Sequence, residues 1–322
     1  MARVCKIIAS ILSIAIAVCA FVLILRSGMN PHENSAPSTQ PTVLGTEPTT
    51  PAPNVTVDFG PMPSDPWAEY PDGICIYTVP KQNFIATVML IRDPSKVYLA
   101  TSGNSFSLDK EGTRLPNQLR TEGAIAGINA GAFNDDGSSG KHVGSLPIGM
   151  VISEGEVLWD DGKSFYGFVG MTEEHKLYVA DKITKEDVET YQIRDGCCFG
   201  PVLIKDGVVN ENARDFMEGY NARTAIGQKA DGTIVFLCID GRQVGSIGAT
   251  YSEFLDMVTE LDVVNACGLD GGASTTMVYR DTYGRYGQAG KILQVNSYAL
   301  IQENPRRMPT FFMVRPEKGG CA

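Results

Sequence analysis

Short apolar runs alternate with polar, glycine-containing turns along most of the chain after residue 80. Several turns join two such runs in the manner of a hairpin, as Ser153-Glu154-Gly155 and Ala230-Asp231-Gly232 do. Apolar runs of this length between glycine turns are typical of β-strands. The predicted strands cover residues 84–92, 97–101, 124–129, 147–153, 156–159, 165–171, 176–179, 201–205, 224–229, 233–239 and 310–314.

Two segments instead follow the 3.6-residue period of a helix. Thr250 and Glu253 form a capping box at the start of the clearer one. Its apolar positions lie on one helical face and are Tyr251, Phe254, Leu255, Val258 and Leu261. A shorter helix is predicted around residues 114–121. Strands dominate and no βαβ rhythm repeats, so we predict an α+β fold with a large, mostly antiparallel or mixed twisted sheet and few helices.

The first residues have a different pattern. Residues 7–25 are apolar without a charge, proline or glycine, and Arg3 and Lys6 precede them. A helix of this length spans roughly 28 Å, so residues 1–26 are predicted to be a cytoplasmic tip and a transmembrane anchor. The alternative is a signal peptide cleaved near Ala20, but further apolar residues follow that position. Either interpretation exports the rest of the chain.

Residues 27–66 are rich in proline, threonine and serine. Such a segment buries too little apolar surface to fold, so it is predicted to be a disordered spacer. The folded domain is then expected to cover residues 67–322, on the extracytoplasmic side of the membrane.

Composition narrows the possible functions. The chain has 27 Lys and Arg against 37 Asp and Glu, a net charge of −10, which argues against nucleic-acid binding. Only three histidines occur, so a multi-histidine metal site is not expected, and neither is a cofactor. The pairing of the exported cysteines stays open, although Cys238 and Cys267 lie in apolar runs typical of buried free thiols.

The polar and charged residues that could take part in binding or catalysis lie where predicted strands begin or end. Asn129 ends one strand, and small residues, Asn134 and two aspartates follow it. Arg223 begins an apolar strand, where an arginine can clamp a phosphate or carboxylate. Asp240 ends the next strand, and Asp270 precedes Gly-Gly-Ala-Ser-Thr-Thr, a segment rich in hydrogen-bond donors. Dinucleotide-binding, nucleotide-binding and serine-hydrolase motifs are absent from the chain.

These segments, in this order, resemble the phosphodiester glycosidase family over about residues 84–314. The segments that carry the resemblance are Asn129-Ala-Gly-Ala-Phe133, Phe199-Gly-Pro201, Arg223-Thr-Ala-Ile-Gly227, Asp240-Gly-Arg242 and Leu269-Asp-Gly-Gly-Ala-Ser274. The family's Asn-Gly-Gly-Phe-Phe reads Asn129-Ala-Gly-Ala-Phe133 in this chain, and its Asp-Gly-Gly-Gly-Ser reads Asp270-Gly-Gly-Ala-Ser274, so an alanine replaces a glycine in each. The family implies cleavage of a sugar from its anomeric phosphodiester, without fixing which sugar.

The resemblance also implies roles for individual residues. Asp270 is the first choice for the carboxylate at the reacting centre, Asp240 is the second, and Arg223 is expected to hold the phosphate. Contacts to the substrate are expected from Asn129, Gly131, Phe133, Asn134, Gly200, Thr224, Gly271, Gly272, Ser274 and Thr275. The expected substrate is a sugar-1-phosphodiester or a phosphate-containing glycan at the cell surface. The alternative is an envelope protein that binds carbohydrate without catalysis.

Overall fold

The computed structural model describes residues 59–68, 70–107, 109–134, 143–297 and 305–317. The predicted anchor at residues 7–25 and most of the predicted spacer lie outside the described residues. Within them, no helix is both long and apolar enough to cross a membrane.

The described chain contains nineteen strands and three α-helices. The strands are β1 Ile74–Pro80, β2 Ile85–Ile91, β3 Val97–Thr101, β4 Ala126–Asn129, β5 Phe133–Asn134, β6 Leu146–Pro147, β7 Val151–Ser153, β8 Glu156–Trp159, β9 Phe168–Thr172, β10 Leu177–Ala180, β11 Ile193–Cys198, β12 Val202–Lys205, β13 Val208–Val209, β14 Arg223–Lys229, β15 Ile234–Ile239, β16 Val263–Leu269, β17 Met277–Arg280, β18 Ile292–Gln294 and β19 Thr310–Val314. The helices are α1 Leu115–Glu122, α2 Lys185–Thr190 and α3 Tyr251–Glu260.

The strands form three principal sheets rather than the one large sheet that the sequence predicts. A seven-stranded sheet has the order β1-β2-β15-β14-β16-β12-β13. Two five-stranded sheets have the orders β10-β9-β11-β7-β8 and β18-β17-β4-β19-β3, and β5 pairs with β6. Neighbouring strands of the principal sheets are antiparallel, for example β14 with β15 and β16. The α+β class and the antiparallel pairing are therefore confirmed.

Side chains of the central strands point alternately to the two faces of the seven-stranded sheet, and each face is covered by its own hydrophobic core. In β15, Phe236 and Cys238 join the core shared with the five-stranded sheets, whereas Val235 and Leu237 face α3. Successive side chains of a strand point to opposite faces, so apolar residues at every position mean that both faces are covered. Helix α1 packs on the outer face of the sheet that contains β4 and β19.

The predicted helix at residue 250 is confirmed as α3, with the capping box between Thr250 and Glu253 in place. The predicted helix around residues 114–121 is confirmed as α1. Helix α2 was not predicted from the sequence, although Thr184 and Asp187 form a capping box there too. Strands β1, β5, β11, β13, β16, β17 and β18 were also not predicted.

Strand β11 shows why one of these strands was missed. Its sequence Ile-Arg-Asp-Gly-Cys-Cys contains Asp195-Gly196, which looks like a turn. In the fold, Gly196 is in mid-strand, where a Cβ would lie 2.3 Å from the ring of Phe168. Asp195 is buried and forms a salt bridge with Arg194 at 2.6 Å. Packing of the Phe168 ring, rather than a turn, accounts for this glycine.

The described cysteines are all buried free thiols, as the sequence predicts for Cys238 and Cys267. Cys321 lies outside the described residues.

Candidate active site

Three predicted functional residues meet at one end of the seven-stranded sheet. Because β15 and β16 both run antiparallel to β14, the start of β14 lies between the ends of its two neighbours. Arg223 is the first residue of β14, Asp240 follows the last residue of β15, and Asp270 follows the last residue of β16. The sheet therefore brings together residues that are up to 47 positions apart in the chain.

Arg223 is a nearly buried cation, with only 4% of its surface exposed. Its Nε donates to the carbonyl of Ala249 and its Nη2 to the carbonyl of Gly219, each at 3.2 Å. The guanidinium carbon lies 4.1 Å from the centre of the Tyr251 ring. Among the described residues, no carboxylate is within salt-bridge distance of this guanidinium. Burial lowers the pKa of Arg223, and no negative charge compensates for the buried positive one.

A second guanidinium, that of Arg242, lies beside the loop after β16. A Cβ on Gly272 would be 3.1 Å from Nη2 of Arg242 and 3.5 Å from the side chain of Asn221. Gly272 has φ +60°, and its N–H donates to the carbonyl of Ala222 at 2.8 Å. The predicted contact of Gly272 with the substrate stays a prediction, and the Gly272 amide is already paired within the protein. The missing side chain of Gly272 makes room for Arg242.

Arg242 is exposed and adds to the positive charge of this end of the sheet. Its side chain makes no hydrogen bond or salt bridge with any residue in the described ranges. The positive charge of Arg242 also contributes to the lowered pKa of Arg223. Neither guanidinium forms a salt bridge with a carboxylate in the described ranges, and two such cations at one end of the sheet are suited to an anion.

Asp270 leaves the sheet on the same face as Arg223. Leu269, the residue before Asp270, pairs with Thr224, the residue after Arg223. Side chains alternate along a strand and directly opposed residues share a face, so Asp270 and Arg223 point the same way. Burial is the main cause that raises the pKa of Tyr251, which packs on Arg223, and the charge of Asp270 acts in the same direction. Asp270 is partly exposed.

Asp240 leaves the sheet on the opposite face. Arg223 pairs with Ile239, so Asp240, one residue further, points away from the guanidinium. Asp240 is 4% exposed, and its Oδ1 accepts a hydrogen bond from the N–H of Ser297 at 3.0 Å. Burial raises the pKa of Asp240 to about 7, although hydrogen bonds from Ser297 and Asn296 act in the lowering direction. The two candidate carboxylates thus occupy different environments.

Asn129 is fully buried beneath the loop that carries Asp270. Its Nδ2 donates to the carbonyl of Asp270 at 2.6 Å, and its Oδ1 accepts from the N–H of Thr276 at 3.0 Å. Oδ1 also accepts from the hydroxyl of Thr224, which lies 3.1 Å from the hydroxyl of Thr275. These contacts make Asn129 a positioning group for the Asp270 loop, and its predicted contact with sugar stays a prediction.

The predicted contact residues Phe133 and Ser274 are connected through Arg306. The guanidinium carbon of Arg306 lies 4.8 Å from the centre of the Phe133 ring, and its Nη1 is 3.5 Å from Oγ of Ser274. Ser274 is fully buried, whereas Asn134 is exposed. Phe133 and Arg306 thus lie beside the loop that carries Asp270 and Ser274, and the predicted contact of Asn134 with the substrate stays a prediction.

Gly131, Gly200 and Gly271 are positions where the backbone approaches a neighbour closely. A Cβ would lie 3.0 Å from Cβ of Cys197 at Gly131, and 2.8 Å from the carbonyl oxygen of Ala222 at Gly271. At Gly200 it would lie 2.4 Å from the carbonyl oxygen of Tyr166. The glycines thus permit the close packing that shapes the site, and their predicted substrate contacts stay predictions.

Several residues of this region were not identified as functional from the sequence. Tyr251 was predicted only as an apolar helix position, and Tyr166 only as part of a strand. Asn221 lies two residues before Arg223 but was given no role, and Arg306 stands in a segment without a recognisable pattern. The signal for Arg242 was present in the Asp-Gly-Arg motif. Within the described part of the chain, no group of His, Cys, Asp or Glu side chains could hold a metal ion.

Comparison with known families gives one match that covers more than half of the chain. The model of the family described as phosphodiester glycosidase matches residues 122–315. This range includes Arg223, Asp240 and Asp270.

Relatives of the chain come from bacteria and animals. The bovine N-acetylglucosamine-1-phosphodiester alpha-N-acetylglucosaminidase is 29% identical over 205 residues, which are 62% of this chain and 34% of the relative. The SPbeta prophage-derived uncharacterized protein YomE of Bacillus subtilis is 24% identical over 204 residues, 59% of this chain and 28% of the relative. The chain thus spans about a third or less of the length of these relatives.

A solved structure supports the fold. The catalytic domain of zebrafish N-acetylglucosamine-1-phosphodiester alpha-N-acetylglucosaminidase, auto-inhibited by its pro-peptide, aligns with a TM-score of 0.59 at 17% identity. The alignment covers 80% of this chain and 86% of the zebrafish chain.

Proposed function

The chain belongs to the phosphodiester glycosidase family, and we propose that it is a hydrolase that releases a sugar from its anomeric phosphodiester. The observation that carries this proposal is the buried positive charge of Arg223, which has no carboxylate partner among the described residues and lies beside Arg242. An anionic ligand would compensate for that charge. Because Asp270 shares the same face of the sheet, a carboxylate would stand next to the bound anion.

The chemistry of the substrate fits this arrangement. The leaving group of a sugar-1-phosphodiester is a phosphate monoester, which is already stable as an anion. Strong protonation of the leaving oxygen is therefore less necessary than in ordinary glycoside hydrolysis. Fixed positive groups that hold the phosphate as its charge develops become more important, and Arg223 and Arg242 supply them.

In this proposal Asp270 acts at the anomeric carbon. A carboxylate there stabilises the oxocarbenium-like transition state, whether by attack, by activation of water or through its charge. Asp270 is favoured over Asp240 because it is partly exposed and shares a face with Arg223. Asp240 is buried on the other face and is assigned a supporting role beneath Ser297.

The test is hydrolysis of methyl N-acetylglucosamine-1-phosphate, chosen because the bovine and zebrafish relatives are named for this class of ester. Wild-type protein is expected to release N-acetylglucosamine. Asp270→Asn is expected to keep its fold and to lose roughly a hundredfold or more in turnover. The matched control is Asp109→Asn, an exposed aspartate, which should retain wild-type turnover.

Two results would contradict the proposal. A folded Asp270→Asn variant with wild-type turnover would remove Asp270 from the reaction. A wild-type protein that binds the ester without releasing sugar, across a panel of sugar-1-phosphodiesters, would instead support the non-catalytic carbohydrate-binding alternative.

The proposal includes export and anchoring at the membrane by residues 7–25. It rests on the apolar length of that segment and the preceding positive charges. Protease added to intact cells should release a fragment that contains nearly all of residues 67–322. Full protection of the protein in intact cells, with cleavage after lysis, would refute this location.

A further inference from the structure

Tyr166 is an exposed aromatic residue in an unfavourable backbone conformation. Its φ is +57°, and the N–H of Gly167 donates to the carbonyl of Phe165 at 2.8 Å, so Tyr166 is the central residue of a γ-turn. Turns of this hand are rare because a side chain at positive φ crowds the backbone. The side chain is nevertheless 59% exposed, so burial of the ring does not account for the strain. Strained exposed residues of this kind are found at ligand sites.

The neighbouring backbone is adapted to hold this turn. Gly200 packs directly against it, since a Cβ there would lie 2.4 Å from the carbonyl oxygen of Tyr166. The N–H of Phe199 donates to the carbonyl of Gly167 at 3.1 Å. Gly200 therefore supports the position of Tyr166. The close approach of the Tyr166 carbonyl explains why this position of the Phe-Gly-Pro motif is a glycine.

A series of ring contacts connects Tyr166 with Arg223. The centre of the Tyr166 ring lies 4.8 Å from that of Phe216, and the Phe216 ring lies 5.0 Å from that of Tyr251. The Tyr251 ring in turn packs on the guanidinium of Arg223 at 4.1 Å. The exposed ring of Tyr166 thus belongs to the same region of the molecule as the buried cation.

The order of strands orients these groups along the end of the sheet. Strands β15, β14, β16 and β12 are consecutive neighbours. Arg242 lies after β15, Arg223 begins β14, and Asp270 follows β16. Gly200, which packs on Tyr166, lies just before β12. By strand order, the backbones of Arg242 and Arg223 lie on one side of Asp270, and the turn at Tyr166, which packs on Gly200, lies on the other.

We propose that the substrate lies along this end of the sheet, with its phosphate at Arg242 and Arg223 and its sugar ring against Tyr166. The inference rests on the proposed function and adds a direction to it. The anomeric carbon joins the sugar to the phosphate, so it falls at Asp270 between the two groups. The C–H face of a pyranose is apolar, and an exposed tyrosine ring offers it a flat apolar surface with a polar edge.

The experiment measures binding of the two halves of the substrate separately. N-acetylglucosamine and methyl phosphate are titrated by calorimetry into wild type and into Tyr166→Ala, Tyr166→Phe and Arg242→Ala. Tyr166→Ala should weaken binding of N-acetylglucosamine about tenfold, because the apolar face of the sugar is then no longer buried against the ring. The affinity for methyl phosphate should stay unchanged. Arg242→Ala should do the reverse. Tyr166→Phe should bind both probes like wild type, because it keeps the ring.

The matched control is Tyr283→Ala. Tyr283 is also exposed, at 52%, and its ring lies near Arg285 in the loop that follows β17. This variant should bind both probes normally. If Tyr166→Ala weakens methyl phosphate and leaves the sugar unchanged, the orientation is reversed and the inference is wrong. Equal affinities in wild type and Tyr166→Ala also overturn it.

The outcomes separate this inference from the proposed hydrolase activity. A wild-type protein that binds both probes but releases no sugar from any phosphodiester refutes the hydrolase proposal, and the variants still decide the orientation. A wild-type protein that hydrolyses the ester while Tyr166→Ala has an unchanged KM refutes the orientation alone. Binding of neither probe to wild type, together with no release of sugar from the ester, overturns both.

Discussion

The buried carboxyl group of Asp240 leads to a prediction about the pH dependence of stability, which can be tested without knowledge of the substrate. Burial raises its pKa from 3.8 to about 7, so the folded protein holds a proton that the unfolded chain releases. A raised pKa favours folding at low pH: its contribution is complete below about pH 4 and is lost as the pH rises towards 7. Between these values, stability falls by about 1.4 kcal/mol per pH unit from this group. Across roughly three pH units the loss is about 4 kcal/mol.

The perturbation is Asp240→Asn, which removes the titration and keeps an oxygen to accept the hydrogen bond from Ser297. The free energy of unfolding is measured by urea denaturation from pH 4.5 to pH 8.5, with tryptophan fluorescence as the signal. We expect the variant to gain stability relative to wild type as the pH rises from 4.5, by about 3.5 kcal/mol once the pH has passed 7. When the free energy of unfolding of wild type is subtracted from that of the variant, the contributions of all other titrating groups cancel.

Asp109→Asn controls for the loss of one negative charge at an exposed position. The reasoning would be refuted if the Asp240→Asn and wild-type curves stayed parallel over the whole range, because Asp240 would then titrate alike in the folded and unfolded states. A variant that became less stable as the pH rose would show that the carboxylate is stabilised in its charged form.

Three further changes test the site and the core. Arg223→Lys keeps the charge but loses the two-pronged geometry, so kcat/KM for a sugar-1-phosphodiester should fall about tenfold. Arg223→Ala should lower it further. Equal losses on an aryl glycoside, if one is cleaved, would argue against a phosphate clamp. Gly196→Ala should cost about 1–3 kcal/mol in a denaturation experiment because its Cβ would lie 2.3 Å from Phe168, and an unchanged midpoint would contradict this packing. Asn129→Ala leaves buried polar groups unpaired beneath the Asp270 loop, so it should cost about 2–4 kcal/mol and also lower turnover; a stable, active variant would exclude the positioning role.

The sequence by itself determined the elements whose signals are local. Residues 97–101 were predicted as a strand and form β3 with the same bounds. The capping box at Thr250 predicted the start of α3, because it depends only on residues three positions apart. The functional segments were also identified at strand ends, where Arg223, Asp240 and Asp270 are found.

Only the tertiary structure decided how these elements combine. The division of the strands into three principal sheets depends on pairings between distant segments, such as β4 with β19, which no local period specifies. The same holds for β11, where packing of Phe168 against Gly196 overrides a turn-like sequence.

The environment of each site residue was likewise a tertiary property. Arg223 and the two aspartates look alike in sequence as polar residues at strand ends. Register places Asp270 on the face of Arg223 and Asp240 on the other face, and burial then gives Asp240 its raised pKa. A shift of one residue in register reverses the face of a side chain. The residue types were therefore readable from the sequence, whereas their charges and neighbours depend on strand pairing and on burial by distant parts of the chain.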